Sequence, residues 1–371
     1  MVRQEINEIK RRYKLNDCSV TRICGCYVDG EKNIKDQWAQ SFLGMDEEDL
    51  LKYLALFKKC FSGGLGKNLI NVEVPDKNAK MSLLTLRDTA LRDEEVLEAF
   101  YERIINTYEY VGNYLILVIH DIYDVPGKTQ DGIEMEDASD TVYDHIIACI
   151  CPVSLSKPGL GYDSKKSTFT HMNREWMLGD PQLAVLYPAF NDRAADQNAA
   201  LLYAKNLKED EKTFVSRILG CRLGMPPAQE REVFDVILQE TLGMAELKEI
   251  RAVQQKLIEL AEEHYYDPEP YKLDKAAVEN VLLEAGIGDD KMNYFEESYH
   301  GNVPADAELL LSNIVNLKSF NVDTGIGHIR MKPEYAKEIS IQEIDGRMCL
   351  VMNIIGDVSV NGIDVSIGEE E

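Results

Sequence analysis

The sequence predicts an α+β protein with an N-terminal mixed α/β sheet domain, a helical middle region and a small C-terminal β module. Long apolar runs typical of strands buried on both faces occur in residues 1–206. Apolar residues recur at helical spacing in residues 207–317, and short strand patterns joined by turn dipeptides fill residues 318–371. We therefore expect domains at 1–206, 207–317 and 318–371, the last ending in an acidic tail.

The first domain mixes helices with strands. Residues 5–13 form a basic helix candidate, and residues 18–28 form an extended run rich in β-branched residues. Asp46 and Asp93 are predicted N-caps, because apolar residues follow each of them at helical spacing. Further strands are expected at residues 69–74, 114–119, 143–153, 183–190 and 199–204. Together these elements predict one large sheet with helices packed on it.

The middle region is predicted to be helical, and the last module is predicted to consist mainly of short strands. Helices are expected at residues 211–219, 228–242, 245–264, 274–285 and 289–299. Strands are expected at residues 320–323, 327–331, 339–344, 348–354, 358–360 and 363–365, with a helical turn at 333–339. Asp345-Gly346 and Asn361-Gly362 are predicted hairpin turns, which need positive φ.

The composition and charge of the chain limit the classes of function that it can have. The net charge of −25 and the pI near 4.7 argue against non-specific attraction to nucleic acid. No apolar run reaches the ~18 residues that a membrane helix needs, and the first fourteen residues are charged where a signal peptide would be apolar. Eight cysteines in such a chain indicate reduced thiols. We therefore expect a cytoplasmic protein.

The strongest candidate site follows the predicted strand 114–119. His120, Asp121 and Asp124 stand at the end of that strand, where sites in α/β sheets tend to lie. Acidic residues then crowd the next segment: Asp131, Glu134, Glu136, Asp137, Asp140 and Asp144. Carboxylates suit Mg²⁺ or Ca²⁺, so Asp121 and Asp124 are candidate metal ligands, and a solvated acidic loop is the alternative.

A second polar group follows the predicted strand 183–190. Asp192 and Arg193 are candidate catalytic residues there, or they cap the segment that leads into the next strand. No known nucleophile, zinc or phosphate-loop motif occurs in the chain. Residues 63–68 are glycine-rich but have the wrong spacing for a phosphate loop, so they predict a helix end that leads into a strand.

Two C-x-C pairs are candidate metal ligands or core residues. Cys24 and Cys26 share one face of a predicted strand, and Cys149 and Cys151 share one face of another. Structural zinc sites usually take cysteines from turns, whereas these cysteines lie in apolar runs. Packing in the core is therefore the favoured interpretation.

Four segments identify the chain as a member of an uncharacterised bacterial family defined only as a domain of unknown function. They are residues 21–32, 111–127, 151–158 (CPVSLSKP) and 187–193 (YPAFNDR). The resemblance implies a cytosolic bacterial protein and no assigned activity. A more distant resemblance, to the bacterial nucleoid-associated protein family, is carried by residues 320–326, 333–336, 341–353, 192–201 and 294–298. It implies DNA or nucleoid proteins as partners.

These observations favour a cytosolic, non-catalytic binding protein, with association with the nucleoid as its candidate role. No cofactor is expected beyond a divalent cation, and exposed strand edges would allow a homodimer. The alternative is a hydrolase-like, divalent-metal enzyme that uses His120, Asp121, Asp124 and Asp192. The two hypotheses differ on whether those side chains converge in one cleft.

Overall fold

The fold is seen in a computed structural model that describes residues 1–128, 134–135, 141–171, 173–265, 267–304, 307–360 and 363–365. Its internal contacts divide the chain into two compact units. The first comprises residues 1–228 and 268–270, and the second comprises residues 229–267 and 271–371. Neither predicted boundary, after residue 206 or after residue 317, coincides with this division.

The first unit holds the large sheet and five of the helices found in the described residues. Its elements, in chain order, are α1 (Arg3–Arg12), β1 (Val20–Val28), β2 (Ile34–Ser41), α2 (Glu47–Lys59), β3 (Leu69–Glu73), α3 (Lys77–Asp88), α4 (Glu94–Thr107), β4 (Asn113–Val125), β5 (Gly127–Lys128), β6 (Glu134–Met135), β7 (Thr141–Leu155), β8 (Leu160–Asp163), β9 (Thr168–His171), β10 (Trp176–Leu178), β11 (Leu183–Tyr187), β12 (Ala189–Asn191), β13 (Ala194–Asp196), β14 (Ala199–Ala204) and α5 (Glu209–Leu219).

The main sheet has the strand order β2-β1-β4-β7-β11-β14-β3, with β10 also paired to β7. Every one of these pairings is antiparallel. Helices α3, α4 and α5 pack on one face, and α1 and α2 pack on the other. The sheet is therefore covered on both faces, as its continuous apolar strands require, and the α+β class is confirmed.

Local sequence signals explain where several elements begin. Asp93 caps α4, since its carboxylate accepts a hydrogen bond from the Val96 amide at 3.2 Å. Asp76 caps α3 in the same way, through the Ala79 amide at 2.6 Å. Neither α3 nor β2 was predicted. β2 is an exposed edge strand without an apolar run, and its position depends on Gly25, because any Cβ there would lie 2.4 Å from the Trp38 ring.

α5 belongs to the sheet unit, although its sequence resembles that of the helices that follow. Phe214, Val215, Ile218 and Leu219 are buried in the core that α3 and α4 form with the sheet. A helical stripe shows that a helix is covered, but it does not show by which element. The predicted start of the helical region at residue 207 therefore separated α5 from the sheet on which it packs.

The second unit consists of helices followed by short hairpins. Its elements are α6 (Pro227–Leu242), α7 (Leu247–Glu263), β15 (Lys272–Leu273), α8 (Lys275–Glu284), α9 (Asp289–Met292), α10 (Phe295–Asn302), β16 (Leu309–Leu310), α11 (Leu311–Ile314), β17 (Phe320–Asp323), β18 (His328–Met331), a 3-10 helix (Pro333–Glu338), β19 (Ile339–Ile344), β20 (Arg347–Met352), β21 (Val358–Val360) and β22 (Ile363–Val365). The single helix predicted at 289–299 is two short helices.

The C-terminal strands form three separate two-stranded sheets: β17–β18, β19–β20 and β21–β22. Asp345 and Gly346 join β19 to β20 with φ of 52° and 75°, so the predicted turn is confirmed. The second predicted turn, Asn361-Gly362, lies outside the described residues. These hairpins have no third strand in the described chain, unlike the strands of the large sheet.

Candidate functional site

The candidate residues of β4 point to opposite faces of the sheet. Side chains alternate along a strand. Leu117 and Ile119 pack with α1 and α2, whereas Ile116 and Val118 pack with α3, α4 and α5. Asp121 therefore faces the α1 side, and His120 and Asp124 face the other side. The hypothetical metal site would need Asp121 and Asp124 together, and the structure separates them.

On the α1 side, Asp121 belongs to a buried polar network. One carboxylate oxygen accepts a hydrogen bond of 2.6 Å from Ser19 Oγ, which in turn contacts Arg12. The other oxygen lies 3.6 Å from His145 Nε2, and the Tyr13 hydroxyl lies 3.5 Å from the same nitrogen. Asp121 and His145 are 2% and 0% exposed. The centre of this network is closed to solvent, whereas Ser19 and Arg12 at its edge are half-buried.

The ionisation of the network follows from its burial. Burial lowers the pKa of His145, and Asp121 opposes that shift only in part, so the imidazole is neutral near pH 7. Burial, together with the nearby Asp121, raises the pKa of Tyr13 well above its ordinary value. The hydrogen bond from Ser19 to Asp121 compensates for part of the cost of burying this polar side chain. The arrangement is that of a structural network that ties α1 to the sheet.

On the other side, three adjacent strands bring together a hydroxyl, an imidazole and a carboxylate. Thr21 Oγ1 on β1 lies 2.6 Å from His120 Nδ1 on β4. His120 Nε2 lies 2.8 Å from Asp144 Oδ1 on β7. The second contact lacks hydrogen-bond alignment, and both of its atoms have no other hydrogen-bond partner in the described structure. We call these three residues the Thr-His-Asp row.

The two ends of the row are open to solvent and its centre is buried. Thr21 is exposed, and the Asp144 side chain is 38% exposed. His120 between them is 2% exposed. His120 was predicted from the sequence and Asp144 lies in the predicted acidic segment, but Thr21 was not predicted. Register was the missing information, since residues 21, 120 and 144 are brought together only by the pairing of β1, β4 and β7.

The remaining candidates lie elsewhere. Asp124 is exposed on β4, four residues beyond His120. Asp192 is exposed in the turn between β12 and β13, where it and Arg193 have φ of 51° and 58°. Arg193 pairs with Glu8 at 3.0 Å and donates to the Pro126 carbonyl at 2.9 Å. The structure does not bring Asp192 or Arg193 to the Thr-His-Asp row.

The structure describes only part of the acidic segment. Asp131, Glu136, Asp137 and Asp140 lie outside the described residues, and only the backbone of Glu134 is described. Among the side chains that the structure does describe, no group of three His, Cys, Asp or Glu has the geometry of a metal site.

The cysteine pairs lie on opposite faces of the sheet. Cys24 and Cys26 pack with α3 and α4, whereas Cys149 and Cys151 pack with α1 and α2. Strand β4 also separates β1 from β7, so the four sulfurs do not converge. Burial raises the pKa of Cys149 well above its ordinary value, which keeps this thiol protonated. Each pair packs in the core, as the favoured interpretation had it.

The glycine-rich segment 63–68 is a closed turn between α2 and β3. The Gly64 carbonyl accepts hydrogen bonds from the amides of Lys67, Asn68 and Leu69 at 2.9 to 3.2 Å. The Asn68 side chain donates to the Ala204 carbonyl at 3.1 Å, which fixes the turn to β14. These amides are used inside the turn, which agrees with the predicted connection rather than with a phosphate cradle.

The second unit presents an apolar surface on the β19–β20 hairpin. Residues directly opposite each other in an antiparallel pair share a face. The pairs Ile339–Met352, Ile341–Leu350 and Glu343–Met348 therefore place five apolar side chains on one face. We call Ile339, Ile341, Met348, Leu350 and Met352 the hairpin stripe. Ile341, Met348 and Met352 are 52%, 72% and 52% exposed.

The stripe is anchored at its base. The Arg251 guanidinium on α7 donates to the carbonyls of Ala336, Lys337 and Ile339 at 3.3, 3.4 and 2.9 Å. Ile339 itself is fully buried. Beyond it, the stripe runs out along the hairpin into solvent. No helix of the described chain is long and apolar enough to cross a membrane.

Comparison with known families gives one match. The family described as "Domain of unknown function (DUF4317)" matches residues 1–363. Searches of curated proteins and of solved structures find no match. The resemblance to the nucleoid-associated protein family is not confirmed by these comparisons.

Proposed function

The chain belongs to the DUF4317 family, and from the geometry of its second unit we propose that it is a cytoplasmic binding protein that assembles through the hairpin stripe. The observation that supports this proposal is a row of exposed Ile and Met side chains on a hairpin that pairs with no third strand of the described residues. Assembly through an apolar surface requires no catalytic group, so the proposed role is non-catalytic.

Such a hairpin is unstable unless another part of the protein or a partner covers it. A lone two-stranded hairpin is at best marginally stable in water, and it needs a further strand or layer. Ile341, Met348 and Met352 would leave water if a second layer packed on the stripe. Burying one such side chain contributes about 1.5–3 kcal/mol. A partner that covers all three would therefore stabilise both the hairpin and the complex.

The low net charge of this module allows the partner to be a second copy of the chain, and this is the partner that we propose. The whole chain carries −25, but residues 318–360 contain five Lys and Arg against six Asp and Glu, a net charge of −1. Two copies can therefore approach through this module with little electrostatic repulsion. A two-fold axis would place the two stripes face to face, which is the commonest symmetry of homo-oligomers.

Sedimentation velocity of the full chain over a range of concentrations tests this proposal. We expect a dimer that dissociates on dilution. Met348→Glu places a charge in the stripe of both copies and should weaken association by about 10²-fold to 10⁴-fold, which corresponds to the loss of two buried apolar side chains per dimer. Ile341→Ser should act in the same direction if the first variant proves difficult to purify.

Gln342→Glu is the matched control. It introduces the same charge on the same hairpin, but Gln342 pairs with Cys349 on the opposite face. It should leave the association constant unchanged. A wild-type chain that stays monomeric at all concentrations, or equal weakening by both glutamate variants, would contradict assembly through the stripe.

Association with the nucleoid stays a prediction of the distant resemblance. A gel-shift series with duplex DNA at low salt tests it, because contacts to phosphate are strongest there. Absence of a shift at low salt would remove DNA as a direct partner and would leave the assembly proposal untouched.

A further inference from the structure

We propose that Thr21 is an activated hydroxyl that accepts an acyl group from an activated ester, with His120 as its general base. The site lies in the sheet unit and is independent of the hairpin stripe. It consists of the Thr-His-Asp row, in which three neighbouring strands hold the three groups in contact.

The contacts of His120 assign its tautomer. Thr21 Oγ1 lies 2.6 Å from Nδ1 and 3.3 Å from the His120 carbonyl oxygen. The Thr21 hydroxyl could donate its proton to either atom, so the other side of the ring decides. Nε2 lies 2.8 Å from Asp144 Oδ1, and a carboxylate oxygen this close to a ring nitrogen calls for a proton on that nitrogen. Nδ1 is then the acceptor that faces the Thr21 hydroxyl. This is the order of a hydroxyl, a base and a carboxylate, the arrangement that activates alcohol nucleophiles in unrelated folds. Because the His120–Asp144 contact lacks hydrogen-bond alignment, Asp144 acts on the ring through its charge, and the neighbouring strands hold the ring in place.

The accessibility of the three groups suits that role. His120 is buried and held by the strands on either side, so its orientation is fixed. Thr21 is an exposed residue, so this end of the row faces solvent. The network around Asp121 contains the same kinds of groups, but its hydroxyl, Ser19, donates to the Asp121 carboxylate and not to an imidazole. The two faces of β4 therefore differ in whether a hydroxyl lies against a base.

The proposed step balances without a cofactor. Thr21 Oγ1 attacks the ester carbonyl while its proton passes to His120 Nδ1, and Asp144 stabilises the resulting imidazolium. The bond between the carbonyl carbon and the leaving oxygen breaks, and the leaving alcohol takes the proton from Nδ1. Thr21 then carries the acyl group as an ester, which water can hydrolyse by the same route.

The test uses p-nitrophenyl acetate and the full chain. We expect release of p-nitrophenolate together with an acetyl group on the peptide that contains Thr21. Alkaline hydroxylamine should remove that acetyl group, because it cleaves oxygen esters and leaves acetylated lysines intact. Thr168, an exposed threonine on β9, serves as the internal reference for unactivated hydroxyls.

Substitutions of the three residues test the role of each one separately. Thr21→Val keeps the shape of the side chain and should abolish the hydroxylamine-sensitive label. His120→Gln should lower the labelling rate by about 10²-fold to 10⁴-fold, the usual contribution of a general base. Asp144→Asn should lower it as well, and because Asp144 is partly exposed this variant should fold even if His120→Gln does not.

Two results would overturn the proposal. One is labelling of Thr21 at the same rate as Thr168. The other is labelling of Thr21 that is unchanged in Asp144→Asn. In either case the row would be a cross-strand polar contact and nothing more, and assembly through the hairpin stripe would be unaffected.

Discussion

Strands β4 and β20 are both rich in apolar residues, yet they have opposite surroundings. Leu117 on β4 is fully buried, whereas Met348 on β20 is 72% exposed. β4 has a strand on each side and helices on both faces. β20 has one neighbouring strand in the described chain. Apolar strand residues thus indicate that a surface is to be covered, and the two units differ in whether the same chain supplies the cover.

Because of this difference, the two apolar surfaces contribute to stability under different conditions. The core around Leu117 contributes to stability at any protein concentration. The stripe around Met348 can contribute only when a second layer is present, so its contribution should depend on concentration. Substitutions in one region that leave the other unchanged therefore test whether the two surfaces stabilise the chain in different ways.

The largest expected effect concerns the buried network of β4. Asp121→Ala leaves His145 and Ser19 without their carboxylate partner in a buried site, and we expect the free energy of unfolding to fall by about 3–5 kcal/mol. Asp124→Ala, an exposed position on the same strand, should change it by less than about 0.5 kcal/mol. Urea denaturation measures both. Equal effects would show that the network does not stabilise the sheet.

The next effect compares the two apolar surfaces directly. Leu117→Ala should cost about 2–5 kcal/mol, because it leaves a cavity in a fully buried core. Ile341→Ala should cost less than about 0.5 kcal/mol in the dilute monomer, where its side chain is already half exposed. Its cost should rise as the concentration rises. A loss for Ile341→Ala that matches Leu117→Ala at high dilution would mean that the chain itself covers the stripe.

Sequence patterns predicted most of the elements because local signals marked them. The apolar runs at 114–119 and 143–153 became β4 and β7, and Asp93 caps a helix as expected. β2 was missed because an exposed edge strand has no apolar pattern to reveal it. Helix α3 was missed as well, although Asp76 provides its cap.

The candidate site was less predictable, because it depends on strand register. Adjacency in sequence suggested that His120 and Asp121 act together, but neighbouring residues on a strand face opposite ways. Thr21 could not be selected from sequence, since its contact with His120 arises from pairing across 99 positions of the chain. Antiparallel pairing of β1, β4 and β7 is the information that composition and periodicity do not contain.

The smallest expected effect concerns the pH dependence of stability in the second unit, whose buried interior contains a carboxyl group. Glu230 is 4% exposed and accepts hydrogen bonds from the Leu310 amide at 2.7 Å and from Asn313 at 3.1 Å. Burial raises its pKa from 4.5 to about 7, and these hydrogen bonds oppose the shift only in part. The folded chain therefore retains a proton that the unfolded chain has released.

It follows that the contribution of Glu230 to stability is largest below pH 4.5 and is lost as the pH rises through about 7. Glu230→Gln removes the titrating group, so it should reduce this loss, by about 2–3 kcal/mol between pH 5 and pH 8. Thermal melting at pH 5 and pH 8 measures the change. Glu232→Gln, an exposed position on the same helix, is the control and should keep the wild-type pH dependence. If Glu230→Gln also keeps it, the carboxyl group does not carry a proton at neutral pH, and the interior of the second unit tolerates a charge that its burial makes costly.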